Sequence, residues 1–107
     1  MSEGFLLRFY IHESLEHDGV ALWQWLLRRA DRIGLRGGSA FRSIASFGRH
    51  RVMHEEQPFG VVGSVVITVE FIVDPGERDS LLQLLRDAHI ELLHDCSPTW
   101  FGSTGAA

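Results

Sequence analysis

Residues 65–77 read VVITVEFIVDPGE, and this stretch decides the fold. Val65, Ile67, Val69, Phe71 and Val73 are apolar at every second position, with Thr68 and Glu70 on the alternate positions. Side chains alternate faces along a strand, so this β-branched pattern predicts a strand over 65–73 with its odd face in a core. The next residues change the rule. Asp74 suits an N-cap, Pro75 suits the first helical position, and Glu77 stands where a capping-box acid reaches back. Leu81, Leu84, Leu85 and Ala88 then recur at helical spacing and predict the buried stripe of a helix.

Residues 5–11 alternate in the same way. Phe5, Leu7, Phe9 and Ile11 face one side, and Leu6, Arg8 and Tyr10 the other, which predicts a first strand with its odd face inward. Residues 12–19 are polar and turn-like. From Val20 the period lengthens: Trp23, Leu26, Leu27, Ala30 and Ile33 form a helical stripe, and Gly34 suits its C-cap. Gly37 and Gly38 break the chain, residues 39–47 read as a second, weakly alternating strand, and 48–63 as a long loop or extended hairpin. Residues 91–96 form a short last strand, after which Trp100 and Phe101 are expected to fold back on the body.

The predicted order is strand, helix, strand, strand, helix, strand. That is the ferredoxin-like βαββαβ sandwich of the α+β class, with a four-stranded antiparallel sheet and two helices on one face. One domain over 1–101 is expected, with 102–107 as a flexible tail. The third strand should lie between the first and second, which would set Glu70 between Arg8 and Arg42 on the face away from the helices. Ion pairs across the strands are expected there. The same face carries Leu6, Tyr10, Val66 and Ile72, too apolar for bulk water, so further subunits are expected to cover it.

Composition narrows the function. The chain has 107 residues, 45% of them hydrophobic, and a formal net charge of −4. That excludes a disordered chain. No apolar run is long enough to span a bilayer. The single cysteine cannot form an internal disulfide, so a cytoplasmic location is expected. The acidic total argues against a nucleic-acid partner. All ten basic residues are arginines, and seven lie between Arg28 and Arg51, where Asp31 is the one acid.

Two readings of those arginines stand. Arg28, Arg29 and Arg32 lie in the last turns of a helix, where they suit the negative end of its dipole. Phe47, Gly48, Arg49, His50 and Arg51 instead place two guanidiniums and a glycine at a strand end, a combination that suits an anion. His50 and His54, with Glu55 and Glu56 behind them, are the alternative: a divalent-metal site, although the spacing matches no zinc motif. His94 and Cys96 share one face of the last strand, where Cys96 is expected to be a small buried hydrophobe. Trp25 lies off the buried stripe and is expected at an interface. No nucleophile, base and orienting group are readable together, so the chain is not expected to be an enzyme.

Ile33-Gly34-Leu35-Arg36-Gly37-Gly38-Ser39, then Ser46-Phe47-Gly48-Arg49-His50 and His54, resembles the PII signalling superfamily. The opening Leu7-Arg8-Phe9-Tyr10-Ile11, the His17-Asp18-Gly19 turn, Arg42, and Val73-Asp74 resemble more closely the PII-like "domain of unknown function 190" family. The resemblance covers residues 5–96. It implies a compact homotrimer that binds a small anionic effector, an adenine nucleotide such as AMP, ADP or ATP, in the cleft between subunits. By position, Ser39, Phe47, Gly48, Arg49 and His50 match residues around that cleft. The loop 48–63 would then dock on a regulatory target, a membrane transporter or channel or an enzyme. The sequence departs from PII at three places. Ser46 replaces a motif glycine, His50 replaces a glutamine, and only His89-Ile90-Glu91 stands where PII proteins have a phosphate loop. The loop also lacks the tyrosine that uridylylation needs. These departures point away from PII-type sensing of ATP with 2-oxoglutarate. The alternative function is a metal-binding trimer resembling the cation-tolerance proteins.

Overall fold

The computed structural model describes residues 1–48 and 65–105. Strand β1 (Ser2–His12) leads into a hairpin of β2 (Glu16–His17) and β3 (Val20–Ala21), then helix α1 (Leu22–Arg32). Strands β4 (Gly38–Arg42) and β5 (Val66–Val73) follow, then α2 (Pro75–Asp87) and β6 (Leu93–Phe101). The four long strands form one antiparallel sheet in the order β4-β5-β1-β6. The fold is the expected ferredoxin-like one, and β5 lies between β1 and β4 as its alternation requires.

Parity along the strands makes the core. Leu7, Phe9 and Ile11 of β1 and Ile67, Val69, Phe71 and Val73 of β5 are buried, all odd positions. Leu22, Leu26 and Ala30 of α1 and Leu81 and Leu85 of α2 cover them. The stripe of α1 is shifted from the expected one. Trp23 and Leu27 are only partly buried, and Ile33 is 42% exposed. The helix ends at Arg32, so Ile33 is its C-cap, and the buried apolar role passes to Leu35 beyond the turn.

Local chemistry sets the helix ends. Asp74 Oδ1 accepts from Glu77 N at 2.8 Å and Glu77 Oε1 accepts from Asp74 N at 2.9 Å, the expected capping box. After α1, Gly34 N donates to Asp31 O and Leu35 N to Ala30 O, a Schellman exit with Gly34 at φ 93°. The exit of α2 repeats the pattern, with His89 N donating to Arg86 O and Ile90 N to Leu85 O. There the left-handed residue is His89, at φ 59°. A side chain in that conformation is strained by roughly 1 kcal/mol. His89→Gly is therefore expected to stabilise the fold by about 0.5–1 kcal/mol, read as a higher urea midpoint at unchanged slope.

The turn-like 12–19 segment is ordered as the β2–β3 hairpin. Asp18 (φ 53°) and Gly19 (φ 79°) supply the two positive φ values of a two-residue turn, the Asp-Gly signature of a type I′ hairpin. Leu22 N donates to Leu15 O and ties the hairpin base to the start of α1.

Three strand features differ from expectation. Strand β4 is shorter than 39–47 and ends at Arg42. Strand β6 is longer than 91–96: Trp100 and Phe101 do not fold back but pair with Glu3 and Ser2 of β1. Ser97-Pro98 reads as a strand end, yet an edge strand admits a proline because one side of its backbone has no neighbour to bond. Cys96 is exposed rather than buried, because β6 is an edge strand. The loop 48–63, apart from Gly48, lies outside the described residues.

Candidate functional site

The open face of the sheet carries one polar row. The register places Ser39 beside Glu70, Glu70 beside Arg8, and Arg8 beside Asp95, so the row crosses all four strands. Arg8 Nε donates to Asp95 Oδ1 at 3.0 Å and Nη2 donates to Oδ2 at 2.7 Å. This is the two-pronged geometry that guanidinium and carboxylate share. Tyr10 Oη donates to the same Oδ2 at 3.1 Å.

Arg8 was expected to pair with Glu70, but its partner is Asp95. Arg42 does not join the row either. It stands opposite Ile67, hence on the helix face, and its ion pair is with Glu13. The weak alternation of 38–42 carries no signal of parity, and a one-residue slip moves every side chain to the other face.

The hydrogen bonds from Arg8 hold the Asp95 carboxyl below its ordinary value. The Tyr10 phenol is pushed up, first by burial and then by its bond to Asp95. A carboxyl lowered by folding stabilises the native state above its unfolded pKa of about 3.9, and that contribution is lost as the pH falls through the lower folded value. Asp95→Asn is therefore expected to lower the urea midpoint at pH 7. The gap from wild type should close below about pH 4.

Around the row the face is apolar. Leu6, Tyr10 and Val66 are half-buried, Ile72 is 40% exposed, and Leu93, opposite Tyr10, is 73% exposed. Phe41 lies opposite Thr68 on the same face and is also exposed.

The residues expected to bind an effector are partly placed. Ser39 sits in β4 at the end of the polar row. The chain leaves the sheet just beyond β4, where Ser43 N donates to Val66 O at 2.9 Å and Val66 N donates to Ser43 Oγ at 3.2 Å. Phe47 follows, 80% exposed, and a Cβ at Gly48 would meet none of the described residues within 4 Å. Arg49, His50, Arg51 and the alternative ligand His54 lie outside the described residues. At the PII phosphate-loop position, His89 and Ile90 are taken up by the exit of α2. Among the described residues no group of three metal-ligating side chains comes together. His94 packs against Phe9 at 5.6 Å between ring centres.

Two groups were not legible beforehand. Asp95 is one. Arg36 is the other: its Nη1 donates to Glu77 Oε1 at 2.9 Å and to Ile72 O at 3.2 Å, and its guanidinium stacks over Phe101 at 4.5 Å. It ties the α1–β4 turn to the start of α2 and the end of β6. Strand parity would have revealed Asp95 once β6 was known to pair with β1. Nothing in the sequence points from Arg36 to its partners. A groove of about 430 Å³ lined by Glu3, Phe5, Pro75, Pro98 and Trp100 lies at the other end of the sheet from Ser43 and Val66. No helix among the described residues is long and apolar enough to cross a membrane.

Known proteins resemble this chain in both sequence and fold. It is 28% identical over 88 residues to a UPF0166 protein of Aquifex aeolicus, covering 82% of this chain and 84% of that protein. The structure of a candidate PII-like signaling protein from Thermus thermophilus superposes with a TM-score of 0.58 at 19% identity. That match covers 94% of this chain and 93% of the other, and establishes the shared fold. The family model described as "Uncharacterized ACR" matches residues 4–93, and the chain belongs to that family, DUF190.

Proposed function

We propose that this protein is a PII-like regulatory module, a homotrimer that binds a small anionic effector beside β4 and passes the signal to a partner. The observation that carries the reading is the segment leaving β4. Ser39 ends the polar row, and Phe47 follows with an exposed aromatic ring next to Gly48, where a side chain would meet none of the described residues. Arg49 and Arg51 come next in the chain and supply guanidiniums suited to a phosphate. An exposed ring beside such groups suits a nucleotide, with the base on the ring and the phosphates on arginine. The effector is an adenine nucleotide, and the protein binds it without turning it over. The apolar open face, with its Arg8–Asp95 row, is the surface that the other subunits cover.

Calorimetric titration tests the site. AMP, ADP or ATP is expected to bind saturably, and Arg49→Ala to weaken that binding about tenfold, roughly 1.4 kcal/mol. Flat titrations with all three nucleotides would overturn the reading. Light scattering is expected to give three times the mass of the chain, and a monomer would remove the subunit cleft.

A further inference from the structure

Helix α1 presents a second surface. Trp25, Arg28, Arg29 and Arg32 follow the i, i+3, i+4, i+7 spacing that puts residues on one face of a helix, away from buried Leu22, Leu26 and Ala30. Arg28 and Arg32 are exposed and Arg29 is half-buried. Elsewhere the arginines are mostly neutralised. Arg8 pairs with Asp95, Arg36 with Glu77, Arg42 with Glu13 and Arg78 with Asp79. Arg28, Arg29 and Arg32 have no ion pair among the described residues.

The α1 face is also held in place. The Arg29 guanidinium lies 5.4 Å from the centre of the Trp25 ring, and His17 meets the same ring edge-on at 4.6 Å. Arg29 Nε is buried with no hydrogen-bond partner among the described residues, which costs stability. The helix dipole accounts for Arg29 and Arg32 in the last turn, but Arg28 lies before that turn. The net charge of −4 leaves acids in excess over the whole chain, yet no described acid, Asp31 of the same helix included, forms an ion pair with these three cations.

We infer that this face of α1 is a docking surface for an acidic segment of a partner protein. Charge complementarity selects the occupant. A duplex or an anionic bilayer is an extended polyanion and would meet the rest of an acidic molecule, including exposed Asp79 and Asp87 on α2. A short acidic segment meets α1 alone, whose eleven residues are about 16 Å long. Trp25 and positioned Arg29 add an aromatic and a cation whose ordering cost is already met in the free protein. The inference needs neither the nucleotide nor the segment after β4, so failure of one reading leaves the other standing.

The test is fluorescence anisotropy with a fluorescein-labelled Glu-rich peptide on the full chain. Saturable binding that weakens as salt rises is expected. Arg28→Glu and Arg32→Glu should each weaken it several-fold, and together about tenfold or more. Arg86→Glu on α2 changes the net charge by the same amount as either single variant and should leave affinity within about twofold. Circular dichroism checks that each variant folds, and the Arg28→Gln, Arg32→Gln pair replaces any that does not. The proposal is overturned by an absence of saturable binding, or by equal loss in Arg86→Glu. Duplex DNA or phosphatidylserine vesicles bound as tightly through the same arginines would also overturn it.

Discussion

Phe9→Ala is expected to destabilise the protein by about 3–5 kcal/mol, a large share of the roughly 5–15 kcal/mol typical of a domain this size. Phe9 has no exposed surface and sits at the centre of the sheet, between Val69 of β5 and His94 of β6. Its ring meets Phe71 edge-on at 6.3 Å, the geometry aromatic pairs prefer. Truncation loses the apolar burial and the edge-on contact. It also leaves a cavity that strands on both sides prevent from collapsing. Phe9→Leu keeps most of the volume and should cost under about 1.5 kcal/mol. Urea titration distinguishes the two by midpoint at constant slope. A loss below about 1 kcal/mol for Phe9→Ala would mean that the centre of the core lies elsewhere.

Gly4→Ala is expected to cost about 2–3 kcal/mol, far more than one added methyl suggests. Gly4 is buried in β1 opposite Thr99. A Cβ there would meet the backbone carbonyl of Val73 and the ring of Phe101. The ring can turn, but the carbonyl belongs to the last residue of β5, directly before the Asp74 cap. Relief would have to move the strand end and the start of α2 together. Gly76→Ala is the control, because its Cβ meets only Asp74 Oδ1 at 3.5 Å, an ordinary contact. Thermal or urea melts that leave Gly4→Ala and Gly76→Ala equal would contradict the packing at this corner.

The difference between these glycines shows where sequence reading stops. The capping box at Asp74 and Glu77, the left-handed turn at Gly34 and the alternation of 65–73 are all written within a few residues, because the interactions that cause them span a few residues. They carry the fold class. Gly4 gives no such sign. Its need for hydrogen in place of a side chain comes from Val73 and Phe101, which are far away in the chain. Arg8 is similar. Its residue type predicts an ion pair on the open face, but the choice of Asp95 over Glu70 depends on the register of β6. That register was hidden by Ser97-Pro98, which reads locally as a break.

The candidate effector site divides in the same way. The composition of 46–51, with Gly48, Arg49, His50 and Arg51 close together, is what raises an anion site as an expectation. Where those groups converge depends on the chain beyond β4, and of the expected residues the structure places Ser39, Phe47 and Gly48. The arginines of α1 were legible as residues but not as a surface. Their number suits the helix dipole equally well, and the observed pairing of Arg8, Arg36, Arg42 and Arg78 with Asp95, Glu77, Glu13 and Asp79 shows that these three, clustered on one helix, have no ion pair among the described residues. By itself the sequence determined the element types, the inward face of β1 and β5 and the family resemblance, because period and capping are local properties. The tertiary structure alone decided the length and pairing of β6, the partners of Arg8 and Arg42, and the uncompensated face of α1. Each of those depends on which distant segments the sheet brings within a few ångströms of one another.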